Sequence, residues 1–287
     1  MGLAARVSDR RTAASWMLGA SVLFAFMALF VRLAGTRGVH WSLTAFARSA
    51  FGFIVAVSAA LAQKRSLAVQ GQAKAWGRSL FGTLSLLCTF SVYAAPEMSL
   101  GDAAAIGATG PIFIAALAPR FLGEHTSRRT WLAVGVAFIG VLLVVRPSFS
   151  SAAHVAAIAL LGALASACAM MFLRTLGPSE TPEAVAAHFS LIASLISLSV
   201  AVPHLHWPGL GPAALLLGAG LTAGLGQLAM TRAYAHDAAA RLGALGYTGT
   251  ALTQLLAVWV LDESPGPEQL LGTALVMGAG VLLALRR

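Results

Sequence analysis

Charge is the scarcest commodity in this chain of 287 residues: only 10% are Asp, Glu, Lys or Arg, against about 25% in an ordinary soluble protein. A soluble fold of this length needs a charged surface that such a composition cannot supply, which excludes a soluble enzyme. With 58% hydrophobic residues, disorder is excluded too. Acid is scarcer than base, 10 Asp+Glu against 19 Lys+Arg, and no carboxylate is expected at the centre of an apolar run. Proton-coupled carriers usually bury such a carboxylate, so its absence disfavours a proton relay and cation-drug export built on a membrane glutamate. No lysine falls inside an apolar run either, which disfavours phosphorylated cargo. The two cysteines, Cys88 and Cys168, both lie in apolar runs; they read as free buried thiols, with no disulfide framework and no metal site. Neither G-x-S-G nor H-E-x-x-H occurs, so neither intramembrane protease motif is present. No enzyme activity and no cofactor are expected.

What is present is apolar length. A membrane span takes about 20 apolar residues. Ten runs can be marked: Ala13–Leu33, Trp41–Leu61, Ser79–Tyr93, Ala103–Phe121, Trp131–Val145, Ala152–Leu173, Ala184–Pro203, Ala213–Tyr234, Leu242–Leu261 and Leu270–Leu285. None shows the two-residue alternation of a barrel strand, so all are predicted to be helices. The first has the basic flank of a signal peptide but no clear A-x-A site, and reads as an uncleaved span. Most tryptophans fall near run ends, as interface anchors do. Alternate loops divide the cations fifteen to three, with Arg32, Arg37 and Arg146 on the poorer side, Arg78 counted on the richer side and Arg48 inside a run. This bias reads as a topology signal rather than a nucleic-acid footprint, and it predicts that both termini lie in the cytoplasm.

The chain also repeats itself. Residues 81–145 and 222–285 share a pattern: a tyrosine closing a Gly/Ser/Thr-bearing run (Tyr93, Tyr234), a glutamate opening the last loop (Glu124, Glu263) and a glycine in the final run (Gly140, Gly280). Five runs per half is an odd number, so the second copy inserts upside down, as in many transporters. The loop charges agree: Arg120, Arg128 and Arg129 surround Glu124, whereas the loop of Glu263 carries no cation. On these residues, and on Arg48 in AFARSAFG, the sequence resembles the EamA branch of the drug/metabolite transporter superfamily over essentially its whole length. By order, His188 in AAHFSLIAS takes the place of Arg48 in the second half. The resemblance implies an all-α integral membrane protein with ten transmembrane helices in two inverted five-helix repeats, residues 1–150 and 151–287. It also implies similarity to bacterial exporters of amino acids, aromatic ones included.

Candidate pathway residues follow from polarity and spacing. Gly220, Gly224, Gln227, Thr231 and Tyr234 form one helical stripe, and Gly243, Tyr247, Thr250 and Gln254 another. Polar stripes in lipid face protein or water. The glycines fit helix packing and pathway lining equally well, whereas Gln227, Tyr247 and Gln254 favour lining. Ser85 and Thr89 share a face of the third run with Gly82, and Pro111 interrupts the fourth and frees a carbonyl, or merely sets a static kink. Phe24, Met27 and Phe90 offer an apolar wall for a ring-bearing substrate, although each taken alone suits ordinary packing better. Two ionisable residues lie inside runs. Arg48 could attract a carboxylate, with snorkelling to the outer surface as the competing role. His188 could titrate near neutrality, with packing as its competing role. Glu124, Glu263 and Asp262, at loop edges, are expected to cap helices or bond within their loops. The function expected is alternating-access export of amino acids, aromatic or large neutral ones first, by facilitated uniport. The alternatives are a drug or another metabolite carried with proton coupling, and a non-transporting receptor or scaffold. Partners expected are an amino acid or related metabolite and the lipid bilayer, with no nucleic acid; a monomer suffices.

Overall fold

The computed structural model describes the backbone of residues 3–122, 152–176, 179–236 and 239–284, with residues 128, 131, 132, 135, 136, 139, 140 and 143. Among the described residues all regular structure is helical. In chain order the α-helices are α1 (Leu3–Thr36), α2 (Trp41–Ala62), α3 (Gln72–Ala94), α4 (Leu100–Gly107), α5 (Gly110–Leu122), α6 (Ala152–Leu176), α7 (Pro182–Ala201), α8 (Leu210–His236), α9 (Ala239–Leu261) and α10 (Pro267–Ala284). A 3-10 turn, Val202–His204, extends α7. Among the described residues, five helices are long and apolar enough to cross a membrane, over Arg11–Thr36, Trp41–Ala62, Ala153–Leu176, Pro182–His204 and Leu210–Tyr234. Most of the expected fifth span, the Glu124 loop and the expected boundary at 150/151 lie outside the described residues.

Two of the departures from the expected runs have identifiable reasons. Helix α3 starts at Gln72, about two turns before the apolar run at Ser79, because the segment QAKAWGR is rich in good helix formers. An apolar run marks the lipid-facing length of a helix, not its end. The fourth run is divided. Helix α4 stops at Gly107, Thr109 donates its N–H to Ile106 over 3.0 Å, and α5 begins at Gly110. Pro111 sits in the first turn of α5, where a missing N–H costs nothing, and the break falls just before it. Caps fix other starts. Ser99 Oγ accepts the N–H of Asp102 at 3.0 Å, and Thr181 Oγ accepts that of Ala184 at 3.3 Å with Pro182 following. Gly38, at φ +81°, makes the left-handed turn between α1 and α2 that a side chain would strain.

The packing has a two-fold logic. Helix α1 lies along α8, and α3 lies along α6; α2 packs on α7; α2 also meets α8 as α3 meets α7. Helix α1 touches α9 as α6 touches α4 and α5. Exchanging α1 with α6, α2 with α7, α3 with α8 and α4–α5 with α9 maps this set of pairings onto itself. Two inverted repeats facing each other produce that pattern. The interior is built from small residues: Ala20, Ala45, Ala193, Ala219, Ala223, Ala233 and Ala257 are wholly buried, while Trp259 and Leu61 are more than 70% exposed. Lipid tails offer no reason to hide leucine, so close backbone approach decides the interior. The glycine stripe of α8 belongs to this packing. A Cβ on Gly224 would stand 3.2 Å from the Cα of Gly52, and one on Gly220 would strike the Phe51 ring.

Candidate substrate cavity

The helices of both halves leave a cavity of about 340 Å³ between them. It lies at the small end of the range of about 300–1,000 Å³ typical of small-molecule sites. Helix α1 contributes Phe24 and Met27, α3 contributes Ser85, Thr89 and Phe90, α8 contributes Gln227, and α9 contributes Thr250. Seven of the expected pathway residues therefore border one space. The repeat-related tyrosines Tyr93 and Tyr234 border it as well. Gly107, at the break between α4 and α5, faces it with no atom within 4 Å of where a Cβ would stand. The residue four positions on is Pro111, which has no N–H, so the Gly107 carbonyl loses its intrahelical partner.

The remaining candidates do not all share this space. Gln254 does not border the cavity; its amide packs on the bare Cα of Gly101, and its buried Oε1 has no hydrogen-bond partner. Tyr247 and Pro111 lie in helices, but their side chains fall outside the described residues. His188 is also off the cavity: its Nδ1 lies 2.9 Å from Ser79 Oγ and its ring stands edge-on to Trp76. Cys88 and Cys168 are free thiols.

Two arginines give the cavity its charge. Arg48 does not snorkel: it is buried, and its Nη2 donates to Gln227 Oε1 over 2.9 Å. Gln227 is held in turn by Thr231, whose Oγ1 accepts from Nε2 at 3.2 Å. The second is Arg78, assigned by sequence to a cytoplasmic loop. The early start of α3 carries it into the bundle, where it is 2% exposed and borders the cavity. Gly82, one turn on, leaves the space that its guanidinium fills. Both arginines lie over the Phe189 ring, Arg48 at 5.0 Å and Arg78 at 4.2 Å from the centroid. Arg48 Nη1 and Arg78 Nε and Nη1 have no hydrogen-bond partner. Among the described residues no Asp or Glu borders the cavity.

The carboxylates sit at the ends of the bundle. Glu183, at the start of α7 and fully buried, accepts from Arg65 at 2.9 Å, Arg232 at 3.0 Å and Gln63 at 3.2 Å. Glu263 lies 3.6 Å from Arg32 and accepts the N–H groups of Leu100 and Gly101, capping α4 rather than the helix that follows it. Arg32 also donates to the carbonyls of Ala95 and Met98, tying α1 to the α3–α4 connection. Trp16 stacks on Arg232. Trp16 and Arg32 are 16 positions apart on α1, about 24 Å at 1.5 Å per residue. The two ion-pair clusters therefore lie at opposite ends of the bundle, with the cavity between them.

Comparison with known proteins follows this geometry. The model of the EamA-like transporter family matches twice, over residues 11–146 and 155–286. The chain is 28% identical to the pseudopaline exporter CntI of Pseudomonas aeruginosa over 83% of this chain and 84% of that one. It is 26% identical to a riboflavin transporter of Rhizobium johnstonii over 63% and 61% of the two chains. A solved crystal structure superimposes with a TM-score of 0.68 over 96% of both chains at 21% identity, which shows a shared fold.

Proposed function

The chain belongs to the EamA-like transporter family and is a multi-pass membrane transporter, and from that premise we propose that it exports amino acids, aromatic and large neutral ones first, by alternating access. The two named relatives are called after different cargoes, so the cargo has to be argued from the cavity. The observation that carries the reading is that space itself: one chamber between the two halves, with an apolar wall of Phe24, Met27 and Phe90 and a polar side holding Arg48, Gln227 and Thr250. Such a chamber suits a molecule with one apolar end and one charged end. Rocking of residues 1–150 against 151–287 would expose it to one side and then the other. The absence of a carboxylate among the described lining residues supports facilitated transport down the substrate gradient. The bias of loop cations supports insertion in the bacterial inner membrane with both termini in the cytoplasm.

The test is uptake by liposomes holding the purified protein, comparing labelled phenylalanine, tryptophan, alanine and lysine with and without a pH gradient. Saturable uptake of phenylalanine and tryptophan without a gradient is expected, with lysine excluded by the cationic cavity. Uptake that strictly requires the gradient would replace uniport by proton coupling. No uptake of any amino acid by folded protein would remove the amino-acid assignment.

A further inference from the structure

We propose that Arg48 and Arg78 form a two-guanidinium clamp for a carboxylate of the transported molecule, so that the carboxylate is an obligatory part of every substrate. The inference rests on the transport reading and adds which group of the cargo is read, and by what.

The clamp is built on three sides. Gln227 uses one donor of Arg48 and fixes that guanidinium at the cavity edge, leaving Nη1 unpaired. Gly82 makes room for Arg78, whose Nε and Nη1 are also unpaired and buried. Phe189 is shared by both, its ring centroid 5.0 Å from the Arg48 guanidinium carbon and 4.2 Å from that of Arg78. A cation over an aromatic face is stabilised modestly when desolvated. Taking an arginine out of water costs more than that. The ring alone does not offset that cost twice over. Among the described residues no carboxylate borders the cavity to complete the balance; Glu183 is engaged with Arg65 and Arg232, Glu263 with Arg32, and Asp102 with Gln269. The missing partner is therefore an anion that enters the cavity. A planar guanidinium matches a carboxylate in charge and geometry. Within the amino-acid reading, the side chain of the cargo lies against Phe24 and Phe90, which border the same space.

The experiment uses the full chain in liposomes, with competition against labelled phenylalanine. Unlabelled phenylalanine and 3-phenylpropionate, which keep the carboxylate, are expected to compete. Phenylalanine amide and phenethylamine, which lack it, are expected not to. Arg78→Gln and Arg48→Gln should each raise the half-saturation concentration by about tenfold or more, the loss of one charge-assisted contact, while Arg78→Lys recovers part of the effect. Equal competition by the amide, or an unchanged half-saturation in Arg78→Gln, overturns the clamp. If no amino acid is carried, the amino-acid reading falls and the clamp is tested apart from it. Benzoate and succinate should raise the melting temperature of the wild type and not of Arg78→Gln, and their amides should do neither. Stabilisation by neither carboxylate, or stronger stabilisation by inorganic phosphate, overturns the carboxylate assignment.

Discussion

The arginines at the ends of this bundle and those at its centre have different fates. Arg65 and Arg232 converge on the buried Glu183, and Arg32 meets Glu263. Arg48 and Arg78 meet an amide and the face of one phenylalanine. Exposure runs the wrong way to account for the difference: Arg65 and Arg232 reach solvent in part, whereas Arg48 and Arg78 are buried. What differs is what each pair does. A satisfied ion pair ties helices together and is committed to its partner. A guanidinium with free donors at the edge of a cavity stabilises little by itself and is available to a ligand. Stability and recognition are thus assigned to different arginines, which makes the contrast open to experiment.

The largest effect on stability is expected at the ends. Removing one partner from a fully buried ion pair costs roughly 3–5 kcal/mol. Arg65 and Arg232 reach solvent in part, so Glu183→Ala should cost about 2 kcal/mol, read as a melting temperature several degrees lower. A variant that melts like the wild type would mean that this end is not held by its ion pairs. At the centre the sign should reverse. Arg78→Met exchanges an unpaired buried cation for an apolar side chain, a change that is often neutral or stabilising. Its melting temperature should be unchanged or higher while transport drops by about tenfold or more; a lower melting temperature would make Arg78 a structural residue like those at the ends.

Gly82→Ala sharpens the same contrast without removing charge. Its Cβ would stand 2.8 Å from a Phe189 ring carbon and in the place of the Arg78 guanidinium. Transport should weaken by about threefold, a fraction of one charge-assisted contact, through a raised half-saturation at unchanged expression. The smallest effect is expected in the connection between α1 and α2. His40 stacks on His204, with 3.5 Å between centroids, and burial, followed by the neighbouring His204, holds it below the usual imidazole value. The unfolded chain therefore takes up the proton first. Stability is full above the ordinary imidazole range and declines as pH falls through that range towards the folded value. His40→Gln should flatten the decline in melting temperature between pH 7 and pH 5.

Part of the site could be read in the sequence. Phe24, Met27, Ser85, Thr89, Phe90, Gln227 and Thr250 were singled out by polarity, ring character and helical spacing, and they border one cavity. Arg78 was missed because a cation beside the end of an apolar run has the form of a topology signal. A usable signal was present: residues 78, 82, 85 and 89 follow i, i+4, i+7, i+11 spacing, so the polar face of α3 runs one turn back to Arg78. Gln254 failed for the opposite reason. It continues the stripe of Thr250, but one further turn carries it past the cavity and onto Gly101. A stripe gives a direction around a helix and no depth along it.

Composition and periodicity alone settled that the chain is helical, that it lives in a membrane and that it repeats. Those properties depend on residues within one or two turns of each other, and local spacing carries them in full. The tertiary structure alone decided which arginine finds a carboxylate. Arg65 lies 118 positions from Glu183, and Arg48 lies 179 from Gln227. Such partners meet only where two helices from different halves cross. No local pattern encodes that crossing, because it is set by small residues on both helices that let their backbones approach.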